Sequence, residues 1–322
     1  MRVLVLIDKY IPFLDGVLDG YADVQHIAPE EFTPQSVRDA DALIIRTRSR
    51  VCSGLLAGSR VRFVATATIG YDHIDTDYCR QHDITWTACP GCNAQAVCDY
   101  VEEAIDTLTP SPSSNQPPTI GVVGYGHVGT LVAAMAERKG YRVLVSDPPL
   151  GIGVGPDEIA RNCDIITFHT PLTKEGPHPT YHMADEAFLR QCKPDVLLIN
   201  AARGGVVDEQ ALLQHKQTPQ GRGMRLCIDC WEGEPAVNQA LVQVADLASY
   251  HIAGYSLAGK MRASEMCLQA LCRFFGLPAL SINKKAVPLQ GDSDKGWLSR
   301  VSQQLKSHPD QFEQLRKQYR LR

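Results

Sequence analysis

A glycine-rich segment after an apolar run has the spacing of a loop that can hold the phosphates of a dinucleotide. The run TIGVV is followed by Gly124-Tyr-Gly126-His127-Val128-Gly129, and helical spacing begins directly after it. The first glycine permits a tight turn, the second lets the backbone approach a pyrophosphate, and the third lets the helix pack closely on the strand. The free N–H groups of the helix start would then bind phosphate. The segment predicts a dinucleotide site, although GxGxxG also occurs in turns that bind nothing.

A carboxylate after the next apolar run indicates which dinucleotide would bind. The strand predicted over 142–146 is followed by Asp147, which lies 18 residues after Gly129. A carboxylate there can accept hydrogen bonds from both ribose hydroxyls and would repel a 2′-phosphate. Pro148 and Pro149 follow it, rather than Arg or Lys. The pattern therefore favours NAD over NADP.

Three later segments each contain an ionisable side chain suited to proton transfer or anion binding. They are NAARGGVVD with Arg203, DCWEGEP with Glu234 and SYHIAGY with His251. Together with the glycine-rich segment, this series resembles the D-2-hydroxyacid dehydrogenase family. Further matching stretches are FVATATIGYDHID at 63–75, CPGCN at 89–93, FHTPL at 168–172, HIAGYSLAGK at 251–260 and, in the C-terminal region, FEQLRKQY at 312–319. The resemblance implies an NAD-dependent enzyme that oxidises a small 2-hydroxy acid.

The three side chains suit this chemistry. Oxidising a 2-hydroxy acid needs a cation that holds the carboxylate and a base that takes the hydroxyl proton. Arg203 suits the first role because a guanidinium binds a carboxylate in a planar fork, and His251 suits the second because imidazole titrates near neutrality. Glu234 would hydrogen-bond the other ring nitrogen and favour the imidazolium that forms. Each residue alone is more often a salt-bridge or capping residue, and so the prediction depends on their occurring together.

The resemblance also implies which other residues contact the cofactor and the substrate. Cofactor contacts are expected from Gly124, Gly126, His127, Val128, Gly129, Asp147, Thr170, Ala201, Ala202, Arg203, Asp229 and Gly254. Substrate contacts are expected from Thr47, Thr68 and Tyr255. Thr47 stands where the nearest relatives carry Ser, and this change keeps the hydroxyl.

A cluster of cations around Thr47 suggests that the substrate is phosphorylated. Arg46, Arg48 and Arg50 follow the apolar run ALII, and in an extended segment their side chains would share one face. Such a face could hold a dianion through charge-assisted hydrogen bonds. We therefore expect one or more of these arginines to bind the phosphate of the substrate, with Arg46 as the residue to test. The alternative interpretation is a solvated strand end that binds no ligand.

Apolar runs alternate with helical stretches along most of the chain, which is typical of α/β proteins with parallel sheets. We expect two doubly wound parallel-sheet domains: a flavodoxin-like substrate domain over 1–108, completed by about 252–278, and a Rossmann-type NAD-binding domain over 119–251. The proline-rich stretch TPSPSSNQPP at 109–118 is the expected linker. Strands are predicted over 2–7, 42–46, 62–67, 84–87, 119–123, 142–146, 164–168, 196–199 and 226–228.

The C-terminal extension at 281–322 is basic, with nine Lys and Arg against four Asp and Glu. A basic tail could bind nucleic acid, but apolar residues recur at helical spacing from Trp297 to Leu305 and from Phe312 to Tyr319. This spacing favours amphipathic helices with a solvated face, and we expect no nucleic-acid partner. In the family members that the chain resembles, this region forms a small dimerisation domain. Because it looks shortened here, a homodimer stays open.

Composition excludes several other classes of protein. The 322 residues carry a formal net charge of -4 and are 44% hydrophobic, as in an ordinary globular protein. No basic leader and no membrane-length apolar run is present, and the eleven cysteines are an odd number for a secreted disulfide framework. We therefore expect a cytoplasmic protein without a membrane partner. The CxxC pairs at 89–92 and 227–230 are too far apart for a typical zinc site, and we expect core cysteines and no metal.

Two alternative functions stay open at this point. The first concerns the substrate: the chain could oxidise a different D-2-hydroxy acid from that of the family members it most resembles, such as phosphoglycerate or an unphosphorylated acid. It could instead be an NAD(H)-sensing regulatory protein that keeps the fold. The intact set of Arg203, Glu234 and His251 argues against the regulator, because a sensor needs no proton-transfer pair.

Overall fold

The computed structural model describes residues 2–109, 117–282 and 296–321, which form two compact units with one parallel sheet each. The first unit takes Met1–Asn93 and Ser256–Gln290, and the second takes Ala94–Tyr255 and Gly291–Arg322. The expected class, two α/β units with parallel sheets, is confirmed.

The boundary between the two units does not lie at the proline-rich segment. That segment points to a boundary after residue 108, whereas the second unit already begins at Ala94. The physical reason is that the helix over 94–108 buries Tyr100, Val101 and Ile105 in the core of the second unit. The expected linker at 109–118 lies mostly outside the described residues.

The first unit contains a flavodoxin-like sheet. Its strands are β1 Val3–Asp8, β2 Ala22–Ile27, β3 Ala42–Ile45, β4 Phe63–Thr66 and β5 Thr85–Thr87. They lie in the order β2-β1-β3-β4-β5, and every pair is parallel. The short apolar strands β3 and β4 are buried along their whole length, as expected for strands that are covered on both faces.

The second unit contains a sheet of the Rossmann type. Its strands are β6 Thr119–Val123, β7 Arg142–Asp147, β8 Ile152–Gly153, β9 Ile165–Phe168, β10 Leu197–Asn200, β11 Arg225–Ile228 and β12 Leu247–Ala248. They lie in the order β12-β11-β10-β9-β6-β7-β8, and β8 pairs antiparallel to β7. Chain order reverses between β6 and β9. In such sheets, ligands bind at the carboxyl ends of the strands near this point.

Helices connect the strands in both units. Those of the first unit are α1 Pro34–Val37, α2 Ser53–Leu56, α3 Thr76–Gln81 and α10 Leu257–Phe275. Those of the second unit are α4 Ala94–Leu108, α5 His127–Arg138, α6 Pro156–Asn162, α7 Glu186–Gln191, α8 Glu209–Gln217, α9 Gln239–Val244, α11 Trp297–Ser307 and α12 Phe312–Gln318. Helix α5 starts three residues before the expected position, because Gly126 already caps it.

Two strands that matter for the site region have no clear sequence signal. Strand β2 is an edge strand whose polar residues, such as Asp23 and Gln25, interrupt the apolar pattern. Strand β12 contains only Leu247 and Ala248. Its two residues pair with the end of β11, and a run of this length cannot be recognised from periodicity.

The C-terminal helices belong to the core of the second unit. The expected amphipathic spacing is present in α11, which buries Trp297, Leu298, Val301 and Leu305. Phe312, at the start of α12, is also buried in this core. The part of the predicted extension that forms α11 and α12 therefore packs into the second unit, whereas Ile282 is buried in the core of the first unit.

All eleven cysteines lie in the described part of the chain and are free thiols. Cys227 and Cys230 are buried beside β11, and Cys89 and Cys92 are buried in the first unit. Within the described ranges, no cluster of three His, Cys, Asp or Glu side chains is arranged to hold a metal ion. Over the same residues, no helix combines the length and hydrophobicity needed to cross a bilayer.

Candidate active site

The glycine loop closes tightly between β6 and α5. Gly124 has φ +92°, and a Cβ on it would lie 2.8 Å from the backbone of His169. A Cβ on Gly129 would lie 1.9 Å from the carbonyl oxygen of Gly124. Gly126 caps α5 without a side chain, and a Cβ on it would meet nothing within 4 Å. Gly124 and Gly129 are therefore required by close packing within the protein, whereas Gly126 leaves open space at the start of the helix.

Asp147 lies directly beside this loop. Its carboxylate accepts a hydrogen bond from the backbone N–H of Tyr125 at 2.7 Å and from that of Leu150 at 3.3 Å. The first contact joins the end of β7 to the glycine loop. Because a carboxylate has about four acceptor sites, Asp147 can still accept hydrogen bonds from ribose hydroxyls.

Two buried polar atoms beside the loop have no partner among the described residues. They are the hydroxyl oxygen of Ser146 and the Nδ1 atom of His169. Burial lowers the pKa of His169 to about 3, so its ring is neutral, and its other nitrogen lies 3.0 Å from the hydroxyl of Thr167. Buried polar atoms normally find a partner. The open loop, the carboxylate and these atoms fit a dinucleotide such as NAD.

The remaining residues expected to contact the cofactor lie around the same sheet edge. His127 and Val128 are the first two residues of α5, and Thr170 follows β9. Ala201 and Ala202 follow β10 and are buried. Asp229 follows β11, and Gly254 lies in the segment after β12.

The proposed catalytic residues follow three adjacent strands. Arg203 comes after β10, Glu234 after β11 and His251 after β12, and these strands are neighbours in the sheet. The side-chain amide of Asn200 donates to the carbonyl oxygens of Arg203 at 3.1 Å and of Cys230 at 3.2 Å. It thereby ties the first two loops together. The guanidinium of Arg203 is exposed and donates to the carbonyl of the preceding residue at 2.8 Å.

Glu234 and His251 form a hydrogen-bonded couple. The Nδ1 atom of His251 lies 2.8 Å from Oε2 and 3.1 Å from Oε1 of Glu234. The backbone N–H of Trp231 donates to Oε1 at 2.9 Å and fixes the carboxylate. Since a carboxylate accepts hydrogen bonds, Nδ1 carries the proton and Nε2 is left with its lone pair. The couple can therefore accept a proton at Nε2, as a general base must.

The backbone at His251 adopts a conformation that few residues with a side chain use. Its φ is +59°, which costs about 1–3 kcal/mol for a residue other than glycine. Asp229 holds it there, because its carbonyl accepts the N–H of His251 at 2.9 Å and its carboxylate accepts the N–H groups of Ile252 and Ala253 at 2.8 and 2.9 Å. Asp229, expected as a cofactor contact, thus also positions the histidine.

The environment of His251 stabilises its protonated form. The Cys230 sulfur next to the ring and the hydrogen-bonded Glu234 carboxylate hold the pKa of His251 well above its usual value, although burial opposes this shift. The imidazolium that forms when the base takes a proton is therefore stabilised. This is the role that the sequence predicts for Glu234.

Sequence reasoning missed a second histidine that supports the loop of Glu234. The Nε2 atom of His182 lies 2.8 Å from Glu232, and its Nδ1 atom lies 3.5 Å from Asp208. The backbone N–H of Glu232 donates to Glu209 at 2.7 Å, and burial raises the pKa of Glu209 to about 7. No sequence signal connects His182 with a loop 50 residues away.

The other residues expected to contact the substrate are Thr47 and Thr68 in the first unit and Tyr255 in the second. In the first unit, the hydroxyl of Thr68 donates to the carbonyl of Gly70 at 2.8 Å. Thr47 is exposed just after β3. In the second unit, Tyr255 is half-buried, four residues after His251.

The expectation of an extended arginine segment is wrong. The chain turns directly after β3, where the N–H of Ser49 donates to the carbonyl of Arg46 at 3.1 Å, and the three arginines therefore do not alternate along a strand. Arg46 makes two hydrogen bonds to the buried carboxylate of Asp8, at 2.9 and 3.3 Å. Its guanidinium also lies 5.3 Å from the ring centre of Tyr10.

Comparisons with known proteins identify the family that the chain is similar to. The family description "D-isomer specific 2-hydroxyacid dehydrogenase, NAD binding domain" matches residues 102–253. An erythronate-4-phosphate dehydrogenase of Bacteroides fragilis is 43% identical over 337 residues, covering 99% of this chain and 96% of that protein. The protein of the same name from Pseudomonas syringae pv. tomato is 40% identical, covering 96% of this chain and 80% of that protein.

Solved structures show the same fold at low sequence identity. A 3-phosphoglycerate dehydrogenase of Entamoeba histolytica with bound NAD has a TM-score of 0.70 and 22% identity, covering 88% of this chain and 99% of that chain. A D-lactate dehydrogenase of Aquifex aeolicus, in complex with NAD and lactic acid, has a TM-score of 0.65 and 24% identity. This match covers 84% of this chain and 95% of that chain.

Gly126→Ala should weaken NAD binding without destabilising the protein. A Cβ at this position meets nothing in the protein, but it would fill the space that a pyrophosphate needs above the helix start. We expect NAD affinity, measured by titration calorimetry, to fall at least about tenfold, or about 1.4 kcal/mol, at unchanged melting temperature. Gly129→Ala is the contrasting control, since it clashes with the backbone and should lower both. Unchanged affinity in Gly126→Ala would contradict the assignment of the loop.

His251→Asn should abolish turnover and keep NAD binding. Asn tolerates positive φ better than other residues with a side chain, and the substitution therefore preserves the backbone while removing the base. We expect kcat/KM to fall by about 10²–10⁴-fold, the usual contribution of general base catalysis. NADH binding, followed by fluorescence, serves as the control for folding. Turnover close to that of the wild type would remove His251 from this role.

Proposed function

This chain belongs to the D-isomer-specific 2-hydroxyacid dehydrogenase family, and within it we propose that the protein oxidises 4-phospho-D-erythronate to the corresponding 2-oxo acid. The family and its NAD-dependent chemistry follow from the relatives at 40–43% identity and the matched NAD-binding domain. The substrate is the one for which those relatives are named, and it would place the reaction in vitamin B6 (pyridoxine) synthesis. The Glu234–His251 couple carries the proposal, because it supplies the base that the oxidation requires.

The side chains divide the reaction between them. Nε2 of His251 takes the proton of the substrate's C2 hydroxyl while the C2–O double bond forms. The Glu234 carboxylate offsets the positive charge that the ring then carries. The exposed guanidinium of Arg203 would bind the substrate carboxylate and polarise the C2 oxygen. NAD, when bound, accepts the hydride that leaves C2.

Positive charge in the first unit supports a phosphorylated substrate. Helix α10 is attached to the segment after β1, because the hydroxyl of Ser264 donates to the carbonyl of Pro12 at 2.7 Å. Lys260 lies one turn earlier on the same helix face, close enough to Arg46 for their charges to interact. Burial and the charge of Arg46 both lower the pKa of Lys260. Asp8 forms an ion pair with Arg46. Among the described residues, Lys260 has no anionic partner and is left without a counter-charge. A phosphate dianion would balance this excess charge.

A homodimer remains part of the proposal and is independent of the chemistry. The described residues of the C-terminal region, in α11 and α12, pack into the core of their own unit. A dimer would therefore have to form through surface residues that do not belong to this core. Sedimentation velocity over a range of protein concentrations would decide between one chain and two.

A substrate panel tests the proposed activity against its alternatives. We expect NAD-dependent absorbance at 340 nm to rise with 4-phospho-D-erythronate, at a kcat/KM far above the values for D-erythronate, D-3-phosphoglycerate and D-lactate. A higher kcat/KM with another acid would assign the enzyme to that substrate. NADH binding without turnover of any acid would favour the regulatory protein.

Arg46→Ala should discriminate between phosphorylated and plain substrates. Losing a charge-assisted contact costs about 1.5–3 kcal/mol, which corresponds to an increase in KM of about 10- to 100-fold for the phosphorylated acid. KM for the unphosphorylated analogue should change little. Arg62→Ala is a matched control, because it removes another ion pair with a buried aspartate, Asp41, in the same unit. Equal effects of Arg46→Ala on both substrates would exclude a phosphate contact.

A further inference from the structure

The C-terminal helix brings a third charged group to the Glu234–His251 couple. Nη1 of Arg316, in α12, lies 3.6 Å from Oε2 of Glu234, the oxygen that is closest to the histidine ring. The Arg316 side chain is 28% exposed and that of Glu234 is 19% exposed, so water screens the pair only in part. Arg316 also forms an ion pair with Glu313, one turn earlier on the same helix.

Packing of the surrounding chain holds Arg316 in this position. Phe312 is buried in the core of the second unit, and the Arg316 guanidinium lies 5.8 Å from its ring centre. The ring of Tyr319, beyond the end of α12, meets that of Tyr250 edge-on at 6.0 Å. Tyr250 is the residue before His251. Both ends of α12 are therefore anchored by aromatic rings, and Tyr319 lies against the residue that precedes the histidine.

Helix α11 fixes the same strand end from the other side of Tyr250. The hydroxyl of Tyr250 donates to Gln304 at 3.1 Å, and the backbone N–H of Ala248 donates to the hydroxyl of Ser302 at 2.9 Å. The strand that leads to His251 is thus hydrogen-bonded to the C-terminal region. Arg316 is therefore held by the packing of α11 and α12 and is not an isolated surface cation.

We propose that Arg316 is a positioning residue of the proton-transfer group, which orients the Glu234 carboxylate and opposes protonation of His251. The inference rests on the dehydrogenase chemistry of the proposed function, but not on the identity of the substrate. Arg316 is placed to contact neither substrate nor cofactor in this role; it acts through Glu234. The C-terminal region would then contribute to catalysis within its own chain.

The sign of the effect follows from the charges. A cation next to Glu234 shares the carboxylate's negative charge and repels an imidazolium, so its removal should raise the pKa of His251. Oxidation needs the neutral ring, and its activity at low pH should therefore begin at a higher pH in the variant. Reduction of the 2-oxo acid needs the protonated ring, and its activity should persist to a higher pH. The low-pH limit of oxidation and the high-pH limit of reduction should both move to higher pH.

Other charged or titratable groups next to the couple must be included in the interpretation. They lie on α12, on the segments after β11 and β12, and at the start of α8: Glu313, Asp229, Cys230, Glu232, Asp208 and Glu209. Glu313 is the informative one, because it competes with Glu234 for the Arg316 guanidinium. Its neutralisation should strengthen the effect of Arg316 and lower the pKa of His251.

The test is a pH titration of the full-length protein without substrate or cofactor. The ring signals of His251 are followed by NMR and assigned by their loss in His251→Asn. We expect Arg316→Met to raise the midpoint by about one pH unit, Arg316→Lys to restore most of the wild-type value, and Glu313→Gln to lower the midpoint. Lys317→Met is the matched control, since Lys317 is a more exposed cation on the same helix that pairs with Glu313 at 3.8 Å. It should shift the midpoint by no more than about 0.2.

Kinetics with whichever 2-hydroxy acid is turned over give the second measurement. The low-pH limb of kcat/KM for oxidation should move with the NMR midpoint in each variant. If Arg316→Met unfolds α12, as a lower melting temperature would reveal, Arg316→Lys and Glu313→Gln still decide the question. An unshifted midpoint in folded Arg316→Met, or a rise in Glu313→Gln, would overturn the proposal. Absence of turnover in the wild type would reject the proposed function alone, because the titration needs no substrate.

Discussion

The hydrogen bond between Nδ1 of His251 and the Glu234 carboxylate is the interaction on which the proposed chemistry depends. It directs the free lone pair of the ring to Nε2 and stabilises the charge that the ring gains when it takes a proton. Most of the surrounding structure serves to bring these two groups together. They are separated by 17 residues and by strand β12, and both side chains are partly buried.

Carboxylates at the ends of parallel strands perform much of this positioning. Asp8 ends β1, Asp147 ends β7 and Asp229 follows β11, and each accepts a backbone N–H from the loop next to it. A buried carboxylate is stable only when its oxygens have partners. These hydrogen bonds therefore hold the loops in a defined shape at the carboxyl edge of each sheet. In Asp229 the same device also holds His251 at positive φ.

The charges in the two units have different tasks. In the second unit, Glu234, His251 and Arg316 form a nearly balanced group that can accept and release a proton. In the first unit, Arg46 and Lys260 leave one uncompensated positive charge beside the end of β3. One group is suited to proton transfer and the other to holding an anion.

The amino-acid sequence by itself determined the class of fold, the glycine loop with Asp147, and the Arg203, Glu234 and His251 series. These features are local: apolar runs, glycine spacing and short motifs keep their meaning without knowledge of distant contacts. Only the tertiary structure decided that 94–108 belongs to the second unit, that the chain turns at the arginines after β3, that His182 supports the loop of Glu234 and that Arg316 lies beside Glu234. Each of these depends on contacts between residues far apart in the chain. Such contacts arise from packing of whole helices and strands, and no local pattern encodes them.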